Sequence, residues 1–356
     1  MHFDLITTDP ALQPLVSDYE VPTVEPLPVS SWVAASVLQK SVRRGDIIFG
    51  LRAAATLLKS DPAKLWRRLA GIVFEDVGLG DLDCVRLVMA ASGKSVRQQH
   101  GGEWPVAARV VTRMCEARKC RATDDMFLTI SHHHELDELR ASQEGADLSE
   151  HLSRIRERGA LLGLAGAALN ASGVRWTGRV EGKAADAGAT FAAMREAGVE
   201  HDIVALAEQG FRRTREALPL LLPLLTLALP SGVLPAQDDE FPPVVIGPSG
   251  IPTYCYDAFS WEGKSALSRF LKRNTRTGRW LRRYFPAERR LTVLAGGLFR
   301  IEGGLVRQRV EWPCAMTLRW LADSGYHNMK LSDPAGFLDM IRADLPTIDM
   351  ERANVR

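Results

Sequence analysis

Long apolar runs are scarce in this sequence. The longest, LPLLLPLLTLALP from Leu218 to Pro230, is too short for a bilayer and contains Pro219, Pro223 and Pro230. It is expected to form a buried, broken helix, and no membrane partner is expected. The stretch MHFDLITTDPALQPL lacks a basic segment and an apolar core, so it is not expected to act as a secretory signal. Cysteine is also sparse: five residues, an odd number without a repeating pattern, point to free thiols in a reducing, cytoplasmic setting. Cys115 and Cys120 form a C-x4-C pair with no second pair to complete a four-ligand zinc site. Aromatic residues make up only 7%, whereas Ala, Leu and Arg dominate many segments and favour helix.

What is present is the composition of an ordinary globular chain. The 356 residues, 46% hydrophobic and 25% charged, suffice for two or three domains. Helix signals begin at Ser31, before WVAASVLQKSVRRG, and recur at Asp46, at Asp61-Pro62 and at Asp81, each before an apolar pattern of helical spacing. Further helices are expected over 149–169, 182–198 and 202–217. The Pro- and Gly-rich segment 230–252 reads as a connection. Beyond it, one long basic helix and short strands at RLTVLAG and LFRIEGGLVRQRVEW are expected, the latter turning at Gly303-Gly304. The expected fold is mainly α. Its parts are an acidic, Pro-rich arm (1–30), a helical bundle (31–130), a helical middle region (131–230) and a smaller basic α+β unit (231–356).

A net charge of +2 conceals a strong asymmetry. Residues 264–290 carry ten Lys or Arg against Glu288 alone, a local +9 that leaves the rest of the chain at −7. The first thirty residues hold five acids, among them Asp4, Asp9 and Asp18, and no Lys or Arg. In the basic stretch Lys264, Arg269, Lys272, Arg273, Arg276, Arg279, Arg282 and Arg283 alternate with Trp280 and other aromatics. Such cations neutralise phosphates, and aromatic rings can stack on unpaired bases. They could instead meet acidic faces of the protein itself, the arm included, or an acidic protein partner.

Three strings in the first helical block stand in a telling order: Lys40-Ser41 with Arg43 and Asp46, then Arg67-Arg68-Leu69, then Glu75-Asp76-Val77-Gly78-Leu79. This block, roughly 31–130, resembles the C-terminal helical region of an AAA+ family, the replication-associated recombination protein A family that includes the Werner-helicase-interacting proteins. Phe74 departs from that pattern, which has a small residue before the Glu-Asp pair. The resemblance implies a collar-like bundle, assembly into homo-oligomers and a setting in DNA replication or repair, with proteins of those pathways as partners. It does not imply an ATPase, since in that family the motor precedes this region. Read physically, Glu75 and Asp76 close a helix whose dipole disfavours acids, so they call for basic partners from Arg43, Arg67 or Arg68. Internal pairing or a recognition surface are both open to them.

The string AFSWEGKS (258–265) ends like a phosphate-binding loop. Ala258 stands where the first glycine belongs, and Phe259, Ser260, Trp261 and Glu262 crowd the loop interior. A helix starting near Trp261, with Ser260 as its cap, fits better. His132-His133-His134 could supply ligands only from a loop, and reads as a polar turn. No catalytic residue, cofactor or metal is assigned. The favoured expectation is a non-ATPase, oligomeric factor that binds DNA through the basic stretch. The alternatives are an assembly module or regulator of a related ATPase, and a C-terminal unit acting on a nucleotide or nucleic acid with Asp257, Lys264 and a histidine as candidates.

Overall fold

The structure is a computed structural model that describes residues 19–179, 182–325, 331 and 333–355. The acidic residues Asp4, Asp9 and Asp18 of the arm lie outside these. Among the described residues the fold is mainly α, with eighteen α-helices and one two-stranded sheet.

The chain enters over the first bundle, held by hydrogen bonds and by Arg109, whose guanidinium lies 4.4 Å from the centre of the Tyr19 ring. The Leu27 N–H donates to Thr56 Oγ1 (2.7 Å), and Trp104 Nε1 donates to the Pro22 carbonyl (3.0 Å). The bundle then follows the caps written in the sequence. Ser30, one residue earlier than expected, caps α1 (Ser31–Arg44), and Asp46 caps α2 (Ile47–Ser60). Asp61 caps α3 (Pro62–Ile72), and Asp81 caps α4 (Leu82–Ala91). Two further helices, α5 (Lys94–Gln99) and α6 (Glu103–Glu116), complete it. At its end α3 widens into a π turn, Val73–Val77, stopped by Gly78 at φ 46°. Such insertions re-aim side chains, and here the turn carries Glu75 and Asp76.

A second core gathers α7 (Ala122–His132), α8 (Asp137–Glu144), α9 (Leu148–Arg156), α10 (Leu161–Ser172), α11 (Ala187–Glu196), α12 (His201–Thr214) and α13 (Ala217–Leu225). The single helix expected over 149–169 is two, because Arg158 adopts φ 53° and Gly159 follows it. All of α13 is buried, with Pro223 inside it.

The segment 230–260 is largely irregular apart from β1 (Ala236–Gln237). A third core is built by α14 (Trp261–Lys272), α15 (Arg276–Tyr284), α16 (Ala287–Leu298) and α18 (Pro334–Ala353). Between α16 and α18 lie a π turn (Phe299–Gly303), β2 (Arg309–Val310) and α17 (Pro313–Gly325), and α17 packs on α7 in the second core.

Three local expectations are corrected here. The basic stretch is three helices rather than one: Thr275 caps α15, and Pro286 precedes α16 without an N–H to continue α15. RLTVLAG is helix, not strand, because Leu294, Leu298 and Ile301 recur at helical spacing against Phe337 and Ile341. Only Arg309–Val310 of the second expected strand pairs, antiparallel to β1 rather than in a hairpin at Gly303-Gly304.

Candidate functional site

Lys40, Arg43, Arg68 and Glu75 of the first block's motifs meet residues around AFSWEGKS in one cleft of about 600 Å³ between the bundle and the third core. Helix α1 presents Trp32, Ser36, Gln39 and Arg43 to it at spacings of four, three and four, one stripe of a helix. Lys64 and Arg68, one turn apart on α3, add a second wall. The turn before α14 contributes Asp257 and Phe259, and the first turn of α14 contributes Lys264. Leu291, Ala295 and Leu298 of α16 give an apolar side.

Beneath the cleft lies an ionic network centred on Asp76, which is fully buried. Arg43 donates from Nε to Asp76 (2.8 Å), from Nη2 to Glu75 (2.6 Å) and from Nη1 to the Gly303 carbonyl (2.6 Å). Arg121, also buried, binds Asp76 and Asp124. Gln39 Nε2 donates to Asp76 (3.2 Å) and its Oε1 accepts from Arg68 (2.6 Å). Both guanidiniums lie over the Phe299 ring, at 5.4 Å and 5.1 Å.

Three carboxylates thus share two guanidiniums, and their protonation divides accordingly. Burial would push Asp76 up, but the charges of Arg43 and Arg121 and the hydrogen bonds from Arg43 and Gln39 hold it below its ordinary range. Asp124 moves the other way, up to about 7, because burial and the nearby Glu75 and Asp125 outweigh Arg121. A second pair spans the cleft: Lys40 binds Asp257, while Ser36 Oγ donates to Asp257 (2.7 Å) and accepts from Lys40 (2.7 Å). A third joins Arg352 to Glu302, both buried.

The structure distributes the sequence candidates unevenly. Arg43, Glu75 and Asp76 come together, and Arg68 joins them through Gln39. Asp46 serves as a helix cap, accepting from the Phe49 N–H (3.1 Å). Arg67 is exposed and makes no ion pair among the described residues, so it does not partner Glu75 or Asp76 as expected. The partner that sequence reasoning missed is Arg121. Its signal was an Arg just before Asp124-Asp125, in a helix start rich in charge yet facing a core.

The GKS string is a helix start. Ser260 Oγ accepts from the Gly263 N–H (3.0 Å), and Lys264 and Ser265 lie in the first turns of α14. Gly263 is explained by packing: a Cβ there would stand 1.9 Å from the Asp257 carbonyl oxygen. His133 Nδ1 accepts from the Glu135 N–H (3.3 Å) and Nε2 faces Ser324 Oγ (3.1 Å). Burial lowers the pKa of His132 and His133. Among the described residues no group of three or more His, Cys, Asp or Glu could hold a metal ion.

Within the basic stretch, Arg269 and Arg273 both pair with Glu351. Arg282 donates to the carbonyls of Leu271 and Arg273 at the end of α14, and Arg290 to those of Phe285 and Arg282. Trp280 is half-buried against Tyr284, Phe285 and Phe337, so the apolar core holds the ring expected to stack on bases. Lys264, Lys272, Arg276, Arg279 and Arg283 are exposed and have no carboxylate within ion-pair reach among the described residues. Comparison with known proteins finds no matching family model, no matching curated protein and no matching solved structure.

Proposed function

We propose that this chain is a non-ATPase nucleic-acid-binding factor of DNA replication or repair, acting in the cytoplasm as a homo-oligomer alongside proteins of those pathways. The carrying observation is the stripe Arg276, Arg279 and Arg283 on α15. Their spacings of three and four place them on one helix face, while Thr277, Gly278 and Leu281 are buried on the other. Arg269 and Arg273 are neutralised by Glu351, whereas the stripe meets no carboxylate among the described residues and is exposed, Arg279 donating only to the neutral Asn274 (3.2 Å). Tyr284, 57% exposed beside it, takes the stacking role in place of Trp280. The replication or repair setting and the oligomeric state rest on the resemblance of residues 31–130.

Fluorescence anisotropy with labelled single- and double-stranded DNA, at several salt concentrations, tests this. Affinity should fall with salt at a log–log slope of about −0.9 per duplex phosphate engaged, or about −0.7 on single strands. Replacing Arg276, Arg279 and Arg283 together by Glu should abolish binding with the helical circular dichroism unchanged. Unaltered affinity in that variant refutes the assignment.

The alternative, a protein assembly module, is favoured by Met316 and Trp320. They lie one turn apart on α17 and are 55% and 65% exposed. Absent DNA binding with self-association lost in Trp320→Ala would favour it.

A further inference from the structure

We infer that the cleft between α1, α3 and α14 is a binding site for a nucleoside 5′-phosphate, distinct from the α15 stripe and independent of it.

The argument begins with charge. Each carboxylate lining the cleft already has a cation: Asp257 has Lys40, Glu75 has Arg43, Asp124 has Arg121 and Glu302 has Arg352. Lys64, Arg68 and Lys264 line the same space with no carboxylate in ion-pair contact among the described residues. Arg68 spends one Nη on Gln39, while its Nε is buried without a partner among the described residues. Lys64 donates to Ser31 Oγ (3.0 Å), and Asp61, whose charge it feels, is occupied in capping α3. Burial, together with Arg68 and Arg67, lowers the Lys64 pKa, a cost that a bound anion would relieve. Glu216, which feels the charge of Arg68, is pushed up by its own burial and by Glu75.

Shape and chemistry narrow the anion. A volume of about 600 Å³ exceeds what a lone phosphate needs and suits a ligand of nucleotide size. Two aromatic rings that line the cleft face solvent as well, Trp32 at 63% exposed and Phe259 at 78%, so they stand at its mouth. Lys64 Nζ lies 4.1 Å from the centre of the Trp32 ring, placing cation and stacking surface side by side. A phosphate held by Lys64, Arg68 and Lys264 therefore carries its base onto Trp32 or Phe259.

Isothermal titration calorimetry of the full chain with each of the four common ribonucleoside 5′-monophosphates tests this, with inorganic phosphate and the free nucleosides as controls. At least one monophosphate should saturate a single site and bind more tightly than phosphate or its nucleoside. Arg68→Gln and Trp32→Leu, the latter at an exposed position, should each weaken it about tenfold or more. The α15 triple variant should bind it unchanged, which separates this result from the DNA assay. The inference is overturned if no monophosphate binds, if inorganic phosphate binds as well as the nucleotides, or if folded Arg68→Gln and Trp32→Leu keep full affinity.

Discussion

Phe74 and Gly210 are fitted to one another: a Cβ on Gly210 would stand 2.3 Å from the Phe74 ring. Phe74, in the π turn that ends α3, is wholly buried. The large side chain at the end of α3 is matched by the absence of one on α12.

A double-mutant cycle reads this fit. Gly210→Ala should cost about 1–3 kcal/mol by overpacking, and Phe74→Ala about 3–5 kcal/mol by leaving a cavity. In the Phe74→Ala background Gly210→Ala should be neutral or stabilising, since alanine is the better helix former by about 1 kcal/mol. Urea unfolding of the four proteins checks it; additive costs would mean the two residues do not share the space.

Asp76 holds two buried guanidiniums. Asp76→Asn should destabilise the protein by about 3–5 kcal/mol at neutral pH, as uncompensated buried charge does. The depressed pKa of Asp76 means its contribution is present above the ordinary aspartate range, near 4, and is lost as pH falls through the folded-state value. The stability gap between wild type and Asp76→Asn should therefore narrow in acid below about pH 4.

Asp124 has the opposite sign. With its pKa raised to about 7, the folded chain binds this proton more tightly than the unfolded chain does. Stability from this group falls as pH rises from about 4 towards about 7 and is level above. Asp124→Asn should lack that decline, so its stability relative to wild type should climb by up to a few kcal/mol across the interval. Denaturant titrations between those limits measure the difference, and parallel pH profiles would mean that folding does not raise the Asp124 pKa.

Gly263→Ala separates helix packing from phosphate binding. The Cβ would meet the Asp257 backbone at 1.9 Å, so the variant should lose about 1–3 kcal/mol of stability or more. Thermal unfolding without any ligand shows this. A fully stable Gly263→Ala would mean that packing does not require the glycine.

Burial pushes the thiols of Cys84, Cys115 and Cys255 up to about 12 and that of Cys120 to about 11. A thiol reagent should react with Cys314 at most in the native chain and with all five cysteines in denaturant. Rapid native reaction of more than one thiol would contradict that burial.

Local features are written along the chain. Asp46, Asp61, Asp81 and Ser260 cap helices because a cap is a hydrogen bond across three residues, complete within the string that encodes it. The charge of residues 264–290 was equally plain, and so was the need of Glu75 and Asp76 for a cation. Which cations answered was decided by packing. Arg43 lies on α1 and Arg121 follows α6, while Arg67 turns to solvent because α3 buries its other face against the core. Short apolar strings such as RLTVLAG fit either helix or strand until a neighbour selects one, and Phe337 and Ile341 of α18 selected helix. The cleft is wholly tertiary. Lys40 and Asp257, 217 residues apart, meet only when the third core closes on the first. No periodicity or spacing records such a meeting, because its stabilisation comes from burying two surfaces whose residues are unrelated along the chain.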